Sequence, residues 1–370
     1  LAKTLTRPEK AEAYLRAFDG RARGDVNVNF EKNKLDFFYE KSEQGEKSES
    51  VFTKSSPISS RTPPGTGTRL VLKTTRLGRP FCITLIQSCN KDDKATDIPD
   101  VFNLIGGTNE VTINQTIDGN SVPRLVYVKT PQNLNSSLSY PIVFFFHGAG
   151  GSGQDFLYNN NIIELINSEE FIGVFPNGHS NNGSNGGFWN LGSEPTNADD
   201  VEFVDLIIDQ LVTSPLIDTS KAYAIGFSNG SGMVNLLGKS TSHFNAIAPL
   251  FSQQILSTGD LTPTKAISVF QVNGEVDGII PLNGGASSVG TFMSAQNSAL
   301  NWANHFNCNS TATQENLNWG NTVLNSFTFS NCDDNHEIKY LIVLNTGHGF
   351  NDEQTDSVAY NQIWEFFKQY

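Results

Sequence analysis

The stretch Ala222-Tyr223-Ala224-Ile225-Gly226-Phe227-Ser228-Asn229-Gly230 constrains this chain more than any other. It reads as a short buried strand, a Gly-x-Ser-x-Gly turn, and then Ser231-Gly232-Met233-Val234 opening a helix. That is the pattern of a nucleophile elbow. A serine hydroxyl is a weak nucleophile, so it must be held out where a base can take its proton. A tight strand-to-helix turn does this, and Gly226 and Gly230 leave room for neighbouring backbone. The N-terminus of the helix adds positive potential where an oxyanion would form.

Such a turn needs a sheet covered by helices, and the rest of residues 101–370 reads that way. Val111–Ile117 and Arg124–Val128 flank an Asp118-Gly119-Asn120 turn and predict an antiparallel hairpin. Pro141–Phe146 is a continuous apolar run, as in a strand buried on both faces. Residues 172–175, 246–250, 266–272 and 338–344 predict further strands. Residues 155–167, 201–212 and 357–368 predict helices. The fold class is α/β, a mostly parallel doubly wound sheet with an antiparallel N-terminal hairpin.

Three strand ends carry the remaining chemistry. His147-Gly148-Ala149-Gly150-Gly151 follows the Pro141–Phe146 strand, where glycine-rich backbone can aim N–H groups at a developing oxyanion. The backbone N–H groups of Ala149 and Asn229 are the candidate oxyanion hole, against an ordinary glycine loop. His147 is expected to pin that loop by hydrogen bonds. Asp277, after the strand ending at Val272, is placed to orient a histidine, with Glu275 as the backup; the plainer reading is an Asp-Gly turn. His348, after the last strand, is the candidate base. The chain order Ser228, Asp277, His348 is that of α/β-hydrolases. No histidine or cysteine spacing suggests a metal site, and the chemistry needs no cofactor.

Residues from about 120 to 370 resemble the feruloyl esterase and polyhydroxybutyrate depolymerase-like esterases of the α/β-hydrolase superfamily. The matching pieces are His147–Gly153, Phe188-Trp189-Asn190, Ala198–Val204, the Ser228 elbow, Gly274–Pro281 and Gly347-His348-Gly349. The resemblance implies a serine carboxylic ester hydrolase, exported from the cell, acting on feruloyl or acetyl groups of plant polysaccharide or on aliphatic polyesters. The alternatives are a polyester depolymerase and a non-catalytic surface protein that binds polysaccharide. The family usually has His-Gly before its acid and Gly-His-Thr-Trp-Pro at its base. Here these are Asn273-Gly274 and Gly347-His348-Gly349-Phe350-Asn351. Trp189 and Phe350 are the candidate substrate-binding residues, Trp189 being either an aromatic platform or a core tryptophan. Asp199 and Asp200 are expected to cap the helix at Val201. The family commonly pairs cysteines in this region, which makes Cys308–Cys332 the expected disulfide, against two inert thiols.

The net charge of −13 disfavours nucleic acid and anionic membranes as partners. The acidic excess lies wholly in residues 101–370, whereas residues 1–100 are net basic and read as a separate leader or linker. Residues 1–68 are polar, rich in Ser, Pro and Gly, and are expected to be disordered. Lys73, Arg76 and Arg79 precede the apolar run Phe81–Ile86 and then Ser88-Cys89. That is the logic of a lipoprotein signal ending at Cys89, against a decayed leader. A lipid at Cys89 would be the one membrane contact, in a secreted or outer-surface protein.

Overall fold

In this computed structural model the chain divides into two units, Leu1–Thr96 and Asp97–Tyr370. The structure describes residues 26–31, 34–39, 69–71, 102–169, 171–182, 186–287 and 290–370. In the first unit, β1 (Val26–Glu31) pairs antiparallel with β2 (Lys34–Tyr39) and with β3 (Arg69–Val71). β1 and β2 fall within residues 1–68, where the sequence reading expects disorder. The apolar alternation Val26, Val28, Phe30 is a strand period inside a polar stretch, and overall composition averages it away. Cys89 and the apolar run Phe81–Ile86 before it lie outside the described residues.

The second unit is built on one ten-stranded sheet in the order β13-β14-β15-β10-β9-β8-β6-β7-β5-β4. Its parallel centre is β6 (Tyr140–Phe146), β7 (Ile172–Pro176), β8 (Ile217–Phe227), β9 (Ala246–Leu250), β10 (Ser268–Gly274) and β15 (Ile338–Val343). The expected hairpin, β4 (Thr108–Ile117) with β5 (Asn120–Lys129), closes one edge. The other edge is a second antiparallel hairpin, β13 (Thr313–Trp319) with β14 (Thr322–Phe329). A small ribbon pairs β11 (Gly285–Ser287) with β12 (Gly290–Phe292).

Period-two alternation explains why the apolar runs are continuous. In β6, Ile142, Phe144 and Phe146 join the core on one face, while Val143 and Phe145 join the core on the other. The first core is covered by α3 (Asp200–Leu211), α4 (Asn229–Ser240) and α6 (Ala295–His305). The second is covered by α1 (Gln154–Leu157), α2 (Asn160–Glu169) and α7 (Glu353–Phe367). A further short helix, α5 (Leu256–Gly259), follows β9. The single helix expected over 155–167 is broken. The Asn159 side chain accepts the N–H groups of Asn161 (2.9 Å) and Ile162 (3.2 Å), which starts a new helix there.

The Cys308–Cys332 disulfide forms as the resemblance implied. It ties the end of α6 to the loop after β14 across a separation of 24 residues. In the chain-entropy picture a loop of that size contributes about 3–4 kcal/mol.

On α4, Lys239 is buried; its Nζ donates to Asn301 Oδ1 (2.8 Å) and lies 4.3 Å from the Trp302 ring centre. Burial pulls its pKa down from 10.5 to about 7. Between those values the unfolded lysine keeps a proton that the folded one has released, so stability rises with pH across that window. Lys239→Met is expected to flatten this rise in denaturation midpoint between pH 7 and 10. An unchanged pH dependence in the variant would contradict it.

Candidate active site

Ser228 follows β8 directly and is the N-cap of α4. Its backbone has φ 54° and ψ −113°, outside the regions that L-residues ordinarily adopt. Two features hold it there. Its N–H donates to the Leu250 carbonyl (3.0 Å), and its own carbonyl accepts from Ser231 N (2.9 Å). A Cβ at Gly226 would meet the Gly230 carbonyl, and one at Gly230 would meet the Phe146 carbonyl. Only glycine lets the elbow close this tightly. A serine at a helix N-cap usually bonds the first turn with its hydroxyl. Ser228 makes no such bond. Its Oγ instead meets His348 Nε2 at 2.8 Å.

His348 Nδ1 lies 2.6 Å from Asp277 Oδ2. A carboxylate only accepts, so Nδ1 carries the proton and Nε2 is left to accept from the Ser228 hydroxyl. The other carboxylate oxygen, Asp277 Oδ1, accepts from Ile279 N (2.8 Å) and Ile280 N (2.9 Å). The acid is thus buried and fixed on both oxygens. Glu275 is exposed, and its carboxylate accepts from Asn345 N (2.8 Å), so it braces the turn before His348. The three residues picked from three separate loops are brought into one hydrogen-bonded line.

Ala149 is exposed at the end of the β6 loop, and Asn229 is the first residue of α4. No hydrogen bond from either backbone N–H is seen among the described residues. The loop is fixed by His147. Its Nδ1 donates to Gly148 O (2.7 Å), and its Nε2 accepts from Gly178 N (2.9 Å). Burial lowers its pKa, so the ring is a neutral brace.

Trp189 does not serve as an aromatic platform. It is fully buried, its Nε1 donates to His147 O (2.9 Å), and its ring packs edge-on against Phe146. Its backbone N and O clasp the Asn229 side chain at 2.7 and 3.0 Å. Glu194 completes the clasp by accepting from Asn229 Nδ2 (3.2 Å) and Leu191 N (2.8 Å). Phe350 is half-buried beside the base, edge-on to Phe251 with centroids 4.8 Å apart.

The capping expectation is half right. Asp199 caps α3 by accepting from Glu202 N (3.0 Å), but Asp200 is a buried anion. Asp200 pairs with Arg124 Nη1 at 2.7 Å and accepts from Asn190 N (2.7 Å). Arg124 also donates to Asn177 O (2.9 Å) and lies 3.6 Å from the Phe203 ring centre. The pair clamps the loop that carries Trp189. No local signal in the sequence marks it, because the partners lie in different elements. Asp200→Ala is expected to cost roughly 3–5 kcal/mol, since it strands a buried cation. Replacing both partners by apolar residues of similar volume is expected to restore most of it. Urea denaturation of the single and double variants checks this, and a single variant within error of the native protein would contradict it.

A doubly wound sheet with a strained serine elbow after a central strand, an acid after β10 and a histidine after β15 defines the α/β-hydrolase fold. The sequence likenesses point the same way. The chain is 27% identical over 256 residues to feruloyl esterase B of Piromyces equi, covering 67% of this chain and 45% of that protein. It is 28% identical over 174 residues to feruloyl esterase C of Emericella nidulans, covering 45% of this chain and 60% of that one. It is 25% identical over 262 residues to a bifunctional acetylxylan esterase/xylanase of Neocallimastix patriciarum, covering 70% of this chain and 35% of that one. The chain therefore spans about half the length of these relatives. No protein-family model matches it. Among solved structures, acetyl xylan esterase from Aspergillus awamori aligns with a TM-score of 0.48 at 17% identity, over 71% of this chain and 99% of that one. In sequence the chain is similar to feruloyl esterases, the resemblance that its motifs carry.

Proposed function

We propose that this chain is a serine carboxylic ester hydrolase acting on feruloyl or acetyl esters of plant polysaccharide. The observation that carries the reading is the unbroken line from Ser228 Oγ through His348 to Asp277, at 2.8 and 2.6 Å. Ser228 Oγ attacks the ester carbonyl carbon as its proton passes to His348 Nε2. The backbone N–H groups of Ala149 and Asn229 hold the oxyanion. The C–O bond to the alcohol then breaks, and the alcohol leaves with the proton from His348. Water, deprotonated by the same nitrogen, releases the acid from the acyl-serine. Asp277 keeps the imidazole oriented and stabilises its cation. Phe350 is the remaining candidate for contact with the acyl or alcohol group.

The names of the relatives support the substrate class, and the disulfide is consistent with an oxidising compartment. Export, with a lipid at Cys89 holding the protein to an outer surface, is part of the proposal. Intact-mass analysis of the membrane fraction checks the lipid.

A substrate panel tests the activity: methyl ferulate, acetylated xylan, polyhydroxybutyrate and short p-nitrophenyl esters. Turnover of methyl ferulate or acetylated xylan is expected. Preference for polyhydroxybutyrate would replace the substrate class with polyesters. A folded protein that turns over none of them but binds polysaccharide would replace the enzyme with a binding protein.

A further inference from the structure

The segment after β9 joins all three loops of the site, and its geometry at one residue is unusual. Phe251 is fully buried and has φ 54°. A bulky aromatic residue in the left-handed region is an outlier that persists only where its surroundings impose it. Here they do so from both sides. The Leu250 carbonyl accepts the Ser228 N–H (3.0 Å) and the Ser231 hydroxyl (2.5 Å), while the Phe251 N–H donates to Val272 O (2.7 Å). The peptide linking Leu250 to Phe251 is thus tied at once to the nucleophile's turn and to the strand that leads to the acid.

The outcome is the placement of a ring. Phe251 stands edge-on to the His348 imidazole, with centroids 6.4 Å apart, and Phe227 flanks the same imidazole at 5.3 Å. Phe350 packs onto Phe251 at 4.8 Å. Two residues further on, Gln253 Oε1 accepts from Asn273 Nδ2 (2.8 Å), and Gln253 Nε2 donates to Pro281 O (3.0 Å). Those contacts hold both ends of the loop that carries Asp277.

We propose that Phe251 is a positioning residue, held in a left-handed turn so that its ring fixes the His348 imidazole between Ser228 and Asp277. This rests on the reading of those three residues as a catalytic triad. Its ring touches no reacting atom in this role. Its effect is on how often the imidazole sits within reach of the serine proton, so kcat carries the effect and KM does not.

The test compares Phe251→Leu and Phe251→Met with Phe171→Leu, in the full chain with p-nitrophenyl acetate. Phe171 is equally buried but packs on Trp364, away from the site. The misplacement of a catalytic group by about 1 Å can cost on the order of 10²-fold, so a fall in kcat of roughly 10–100-fold is expected for both Phe251 variants. KM should stay within about twofold, and Phe171→Leu should lower the melting temperature with kcat unchanged. Phe251→Tyr, which restores the ring, should recover most of the lost kcat. If the Phe251 variants fold and keep kcat within threefold of native, Phe251 is a core residue only and the proposal falls. If the leucine variant does not fold, the methionine variant, whose unbranched and flexible side chain adapts to irregular core space, decides the same question. If Ser228→Ala retains full turnover, it is the triad reading that fails.

Discussion

Ser228→Ala is expected to lower kcat by roughly 10⁶-fold while leaving the protein folded, because in triads that act as a unit removal of the nucleophile costs about that much. Among the described residues the hydroxyl hydrogen-bonds to His348 Nε2 and joins neither core. Its loss therefore removes chemistry and little stability. The elbow itself is built from backbone bonds at Leu250 and Ser231 and from the close approaches at Gly226 and Gly230. These do not involve the hydroxyl, so the melting temperature should stay within about 2 °C of native, in line with a small ΔΔG for a domain of this size. A stopped assay on a short p-nitrophenyl ester, with thermal melts beside it, measures both. Activity within tenfold of native would remove Ser228 from the mechanism.

Asp277→Asn is expected to lower kcat by about 10⁴-fold, the size that a wrong histidine tautomer costs in such triads. The physical reason is donor count. Asp277 Oδ2 can only accept from His348 Nδ1, which leaves Nε2 bare toward Ser228. An asparagine amide placed there can donate to Nδ1, moving the proton to Nε2, and a protonated Nε2 cannot take the proton of Ser228. The other oxygen of the residue still accepts from Ile279 N and Ile280 N, so the loop should hold its shape. Glu275→Gln supplies the contrast. Its carboxylate braces the Asn345 N–H and does not reach the imidazole, so a small change is expected. Steady-state kinetics on the two variants separates the acid from its neighbour. A larger loss in Glu275→Gln than in Asp277→Asn would reverse the assignment.

Much of the sheet was legible because parallel strands buried on both faces leave continuous apolar runs, as in Pro141–Phe146 and Ala266–Val272. The three loops bearing Ser228, Asp277 and His348 were legible because glycines punctuate each strand end. The β13–β14 hairpin was not. Thr313–Trp319 is mostly exposed and polar, and its alternation is too weak to mark a strand. Trp189 has two sequence readings because its Gly- and Asn-rich loop has no period to say which way a side chain faces. The structure settles it through contacts 40 and 42 residues away, at Asn229 and His147. The role of Asp200 is hidden in the sequence for the same reason, since its partner Arg124 sits on the edge hairpin. Phe251 gives no signal at all. Left-handed turns favour glycine and asparagine, and nothing about a phenylalanine after an apolar strand predicts one.

The most direct test of an activated serine is covalent. The full chain is treated with a fluorophosphonate, digested, and mapped by mass spectrometry, with Ser228→Ala alongside. One adduct, on the peptide carrying Ser228, and none on the variant is the expected result. No adduct on the folded native chain, or equal labelling of the variant, would contradict it.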